Sequence, residues 1–96
     1  MNEELFFDVL RSFAVNTPPL IDKARNIGAD DIDEYTIAIH GIKGSCRTIV
    51  AHDLAKKAEE LEYAAKRGDN EFLRENNDAY LDSVIKFIDD IKKILG

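Results

Sequence analysis

His40 and Lys43 stand three residues apart in the stretch His40-Gly41-Ile42-Lys43-Gly44-Ser45, and these are the residue types in the chain best suited to chemistry. An exposed imidazole can be neutral and nucleophilic near pH 7. On a helix, an ammonium at i+3 can reach it. Two glycines flank the lysine. Each costs about 0.8–1 kcal/mol relative to alanine inside a helix, so both call for a reason, such as a large partner that must come close to His40.

The segment that carries them, Tyr35 to Ala51, places its apolar residues at Tyr35, Ile39, Ile42, Cys46 and Ile49, one buried stripe at helical period. At ~100° per residue, His40 falls roughly 140° from Tyr35, Gly44 near 180° and Arg47 near 120°. His40 is therefore expected on the outer face, with Lys43 on the edge between core and water. Tight packing of a neighbouring helix is the plainer explanation for the glycines. It works poorly for Gly44, which the wheel turns away from the core. Ile37, one turn before His40 and roughly 200° from Tyr35, is apolar on a face that should be polar. One exposed isoleucine alone means nothing. Beside His40 and two glycines it reads as part of a docking patch, with Asp33, Thr36 and Arg47 on the rim.

The string His-x-x-Lys-Gly-Ser, followed by an apolar-x-Ala end and a helix carrying Leu-x-x-x-Ala-x-x-Leu-Glu, resembles the histidine-containing phosphotransfer (HPt) domain family. The matching residues are His40 to Ser45, then Ala51, Leu54, Ala58, Leu61 and Glu62, closing on Lys66-Arg67-Gly68-Asp69. Three positions depart from the family pattern. Val50 stands where the helix end commonly has glycine, Gly41 where a larger or hydroxyl-bearing residue is common, and Arg47 adds a second cation.

The resemblance implies a helical bundle that carries phosphate. His40 would accept a phosphoryl group from the aspartate of a response-regulator receiver domain, or from a sensor histidine kinase, and pass it to another receiver. Lys43 would offset charge on the equatorial phosphoryl oxygens. Gly44 would leave room for the in-line approach, and Ile37, Gly41, Arg47, Thr36 and Asp33 would meet the partner. The receiver is expected to supply Mg²⁺, with no cofactor bound by this chain. Such a chain is a phosphoryl carrier and not a complete enzyme.

Ninety-six residues suit a single domain over 1–96, long enough for a core of its own. A net charge of −6 argues against nucleic acid and anionic membranes as partners. No run approaches the ~20 apolar residues of a membrane span, and the N-terminus lacks a basic-then-apolar signal region. The single cysteine, Cys46, lies on the buried stripe and reads as a small core hydrophobe, so a cytoplasmic location is the default. No further Cys or His completes a metal-ligand set with His40 and His52, and no Ser-His-Asp arrangement assembles around a nucleophile.

The elements that must position His40 follow from periodicity. Glu3 to Val15 reads as an amphipathic helix, and Thr17 as the N-cap of a short second helix from Pro18 to about Asn26, with Gly28 as its terminator. Asp31 and Glu34 form a capping box that opens the His40 helix, which runs to Val50 or Ala51. Asp53 would cap a fourth helix, Leu54 to Arg67, ended by Gly68. Asp69 or Asn70 opens the last helix, to Leu95, on a stripe of Phe72, Leu73, Asn76, Tyr80, Val84, Phe87, Ile88, Ile91 and Leu95, with a weak middle at Asn76 and Asn77.

No segment alternates with period two, so no strand is expected. The fold expected is all-α, an antiparallel up-down four-helix bundle with a short additional N-terminal helix lying as a lid across one end. Nothing forces a dimer, so a monomer is expected. The competing reading is a non-catalytic helical adaptor that keeps the scaffold; it would tolerate His40→Gln, whereas a phosphocarrier would lose all transfer.

Overall fold

Four helices account for all the regular structure among the described residues, 3–26 and 31–96 of this computed structural model. They are α1 (Glu3–Arg25), α2 (Ile32–Thr48), α3 (His52–Lys66) and α4 (Asn70–Leu95). Helices α1 and α3 each pack against both α2 and α4, so the four close into a bundle around a single core. Gly28 lies outside the described residues.

The break expected at Thr17-Pro18 does not occur, and there is no separate short helix. α1 runs unbroken through Pro18 and Pro19. Two prolines in a helix interior remove two donors and cost roughly 3 kcal/mol or more each. What offsets this is a buried stripe that continues in register across them: Leu10, Phe13, Ala14, Thr17, Ile21 and Ala24. Past the prolines, Ile21 and Ala24 are almost wholly removed from water, and a buried aliphatic side chain is worth about 1.5–3 kcal/mol. Arg25 then ties the end of α1 to α4, its guanidinium 3.3 Å from Asp78 and 2.7 Å from Asp82. Thr17 is therefore no N-cap. It is fully buried, and its Oγ1 has no hydrogen-bond partner.

α2 opens as expected, with the Asp31 carboxylate accepting a hydrogen bond from the Glu34 amide at 3.2 Å. Its end is sharper than expected. Val50 takes a positive φ of 63°, the Ala51 amide donates to the Cys46 carbonyl at 2.8 Å, and the Val50 amide to Arg47 at 3.1 Å. This is a Schellman turn with valine in the place that usually belongs to glycine. The same turn ends α3, where Gly68 has φ 75° and Asp69 and Gly68 donate to Ala64 and Ala65. Because the Val50 turn reverses the chain so quickly, α3 begins at His52. Asp53 lies inside its first turn and is not the cap; Ala51 holds that position without a side-chain bond.

α4 starts at the expected Asp69 cap, whose carboxylate accepts from the Phe72 amide at 3.1 Å. In its middle the stripe differs by one residue from the expected one: Asn77 is buried and Asn76 exposed. The Tyr35 hydroxyl donates to Asn77 Oδ1 at 2.8 Å, and Asn77 Nδ2 donates to the Ala24 carbonyl at 3.1 Å. Instead of a lapse in packing, one satisfied amide joins α1, α2 and α4. A buried amide tolerates this because its polar atoms have partners.

Candidate functional site

Glu62 is the anchor of the site. It lies on the buried side of α3, among Ala55, Ala58 and Ala65, and its side chain is only 4% exposed. A carboxylate there must be paired or it would be neutral. Three groups reach it across the α2–α3 seam and along α3. Lys43 Nζ is 2.6 Å from Oε1, Lys66 Nζ is 2.9 Å from Oε2, and His40 Nδ1 lies 3.2 Å from Oε2 and 3.3 Å from Oε1. Burial pushes the Glu62 carboxyl up, but hydrogen bonds from Lys43, Lys66 and His40 outweigh it and hold the group at about 2. Glu62 is therefore an anion at neutral pH.

That charge state decides the histidine tautomer. An ionised carboxylate only accepts hydrogen bonds, so the proton of a neutral His40 ring sits on Nδ1. The lone pair is then on Nε2, on the opposite edge of a ring that is 66% exposed. The geometry presents a nucleophilic nitrogen to the outside and backs it with a fixed negative charge. The same relation of imidazole to buried acid orients and stabilises histidines in many active sites.

The other residues singled out in the sequence are distributed as follows. Lys43 is not on the edge of the core; it is buried, and its ammonium is bound to Glu62. Ile37 is 71% exposed, on the face of α2 that carries His40. Gly44 is exposed, and a Cβ built there would meet nothing within 4 Å. A Cβ at Gly41 would stand 3.1 Å from Leu20 Cδ1, so this glycine admits the close approach of α1 to α2. Arg47 pairs with Glu59 of α3 at 2.9 Å. The half-buried Thr36 donates its hydroxyl to the Ile32 carbonyl at 2.8 Å, and Asp33 is exposed in the first turn of α2. His52 is exposed at the start of α3.

Cys46 is fully enclosed, and burial pushes its thiol up to about 11, which leaves it protonated and unreactive near neutral pH. Among the described residues, no three His, Cys, Asp or Glu side chains converge in a way that could hold a metal ion.

A family model described as the Hpt domain matches residues 8–93, which covers all four helices except the first five residues of α1 and the last two of α4. The chain belongs to the Hpt domain family. No curated protein and no solved structure gave a significant match. Hpt domains are phosphocarrier modules of phosphorelays, not classical enzymes, and they work with receiver domains and kinases. No described helix of this Hpt domain is long and apolar enough to cross a membrane.

The two site residues that periodicity alone did not single out are Glu62 and Lys66. Glu62 was visible only as the last letter of the Leu-Glu pair in the family pattern. A signal was present: Ala55, Ala58, Glu62 and Ala65 share one helical face, so a charge sits on an otherwise small and apolar stripe. Lys66, four residues after Glu62, is the favourable order for an ion pair on a helix.

Proposed function

We propose that His40 is the phosphoacceptor of this Hpt domain and that it shuttles a phosphoryl group between the aspartate of one response-regulator receiver and that of another, or takes it from a sensor histidine kinase. The single observation that carries this reading is the Nδ1–Glu62 contact, which leaves Nε2 exposed with its lone pair outward. In the step, Nε2 attacks phosphorus, the Nε2–P bond forms, and the bond from phosphorus to the aspartyl oxygen breaks. The electron pair leaves with the aspartate. Nδ1 keeps its proton, so the ring becomes cationic, and Glu62 stabilises that new charge where it forms.

The receiver supplies Mg²⁺ in this reading, as membership of the Hpt domain family implies. Gly44 leaves the approach open, and Ile37 gives an apolar contact beside the reacting nitrogen, with Arg47, Thr36 and Asp33 on the rim and Gly41 next to His40. Lys43 contributes positive charge through Glu62. The helices run up and down in antiparallel order, the domain acts as a cytoplasmic monomer, and its partners are proteins rather than nucleic acid.

The test is to incubate the domain, wild type and His40→Gln, with a phosphorylated receiver and Mg²⁺, and to follow label onto the domain. Acid-labile, alkali-stable label on wild type alone supports the phosphocarrier. Folded wild-type protein that takes no label from any of several receivers would leave a helical adaptor as the reading.

A further inference from the structure

Two lysines bind the same buried carboxylate, but they differ in freedom. The Lys43 side chain is 11% exposed, and its ammonium lies 2.6 Å from Oε1 of Glu62. Taking it away would strip a buried carboxylate of its shortest ion pair. The Lys66 side chain is 57% exposed, and its ammonium reaches Oε2 from the surface. Water already solvates it, and its stem can turn without opening the core.

Lys66 Nζ and His40 Nδ1 share one oxygen, Glu62 Oε2, at 2.9 and 3.2 Å, which places them within about 6 Å of each other. The charge count around Glu62 then changes in a specific way when His40 reacts. Before transfer, two ammonium groups and a neutral ring surround one carboxylate. After Nε2 is phosphorylated with Nδ1 still protonated, the ring itself is a cation against Glu62, and a dianionic phosphoryl group stands on its outer edge. Glu62 no longer needs Lys66, and the phosphoryl oxygens do.

Resting on the phosphocarrier reading above, we infer that Lys66 is an exchangeable cation: on phosphorylation of His40 it leaves Glu62 for the phosphoryl oxygens, while Lys43 stays in place. Lys43 is then a positioning residue, which holds Glu62 and through it the imidazole. Lys66 is the one of the two that touches the transferred group.

Phosphoramidate tests this without a protein partner. Its N–P bond breaks, the Nε2–P bond of His40 forms, and ammonia leaves with the donor's proton. The intact domain, as wild type, Lys66→Gln and Lys66→Arg, is treated with phosphoramidate, and phosphohistidine is followed by ³¹P NMR. Lys66→Gln should react roughly tenfold more slowly, as loss of one charged donor at a partly solvated site requires. Its ³¹P resonance should move from the wild-type position at matched pH. Lys66→Arg should restore both. A thermal melt for each variant excludes misfolding as the cause. Wild-type rate and ³¹P shift in Lys66→Gln would overturn this inference alone. A wild-type domain that forms no phosphohistidine would overturn the phosphocarrier reading and this inference with it.

Discussion

The Nδ1 atom of His40 on α2 lies 3.2 Å from Oε2 of Glu62 on α3, 22 positions further along the chain. The contact joins an exposed ring to a carboxylate that has almost no contact with water. In the proposed transfer it leaves Nε2 free to react, and it does so through a residue that would not touch the transferred group. A prediction follows directly for Glu62→Gln. An amide can donate to Nδ1 as easily as accept from it, so the variant loses control of the tautomer and of the ring's positive charge. Phosphoryl acceptance should fall by at least about tenfold. The Lys43 ammonium also loses its buried counter-charge, which should lower stability by about 3 kcal/mol. Urea unfolding and a transfer assay on the same sample separate the two effects.

The pH dependence of stability has a definite sign. The Glu62 carboxyl titrates at about 2 in the fold against 4.5 for the free group. The unfolded chain therefore binds this proton more readily, and folding stability rises with pH across the interval between the two values. The contribution is complete above about pH 5 and is lost as pH falls towards 2; a shift of this size corresponds to on the order of 3 kcal/mol. Denaturation midpoints measured from pH 7 down to pH 2.5 should show a steep fall in wild type. The fall should be much smaller in Glu62→Gln, which has no carboxyl to protonate there.

Val50 occupies a left-handed conformation with a β-branched side chain, at the turn between the two helices that form the site. Such a residue stores roughly 1–3 kcal/mol of strain. Glycine at this position would release it and lose part of the gain to the freedom of the unfolded chain. Val50→Gly should therefore stabilise the domain by about 1 kcal/mol, seen as a higher urea midpoint with an unchanged slope. The side chain is 63% exposed, so little packing is lost. An unchanged or lower midpoint would show that the turn holds no releasable strain.

Ile37 lies in the open on the His40 face. Ile37→Glu should leave the melting temperature within a degree or two, as surface changes do, and should weaken docking of a receiver domain by roughly tenfold. Binding by titration calorimetry, with circular dichroism as the control, checks both halves. Unaltered affinity would remove Ile37 from the interface.

Much of this was legible in the residues. The stripe Tyr35, Ile39, Ile42, Cys46 turned His40 outward, and the caps Asp31 and Asp69 marked two helix starts because capping chemistry is local. What was not legible depended on contacts distant in sequence. Pro18 and Pro19 read as a boundary, since their cost is local, whereas the stripe that overrides it is closed by burial against α2 and α4. Asn77 reads as a defect in the stripe, because the Tyr35 hydroxyl and the Ala24 carbonyl that satisfy its amide lie far away in sequence. The wheel angle of Lys43 puts it at the edge of the core. Its true position depends on Glu62, a residue on another helix that no spacing in α2 can announce.

The measurement that bears most directly on the central claim is the long-range ¹H–¹⁵N spectrum of the histidine rings, taken before and after phosphorylation. Before reaction, the His40 ring should show the proton on Nδ1 and the lone pair on Nε2. After reaction, phosphorus coupling should appear on His40 Nε2 and nowhere else. Phosphorus on Nδ1, on His52 or on neither ring would contradict the account.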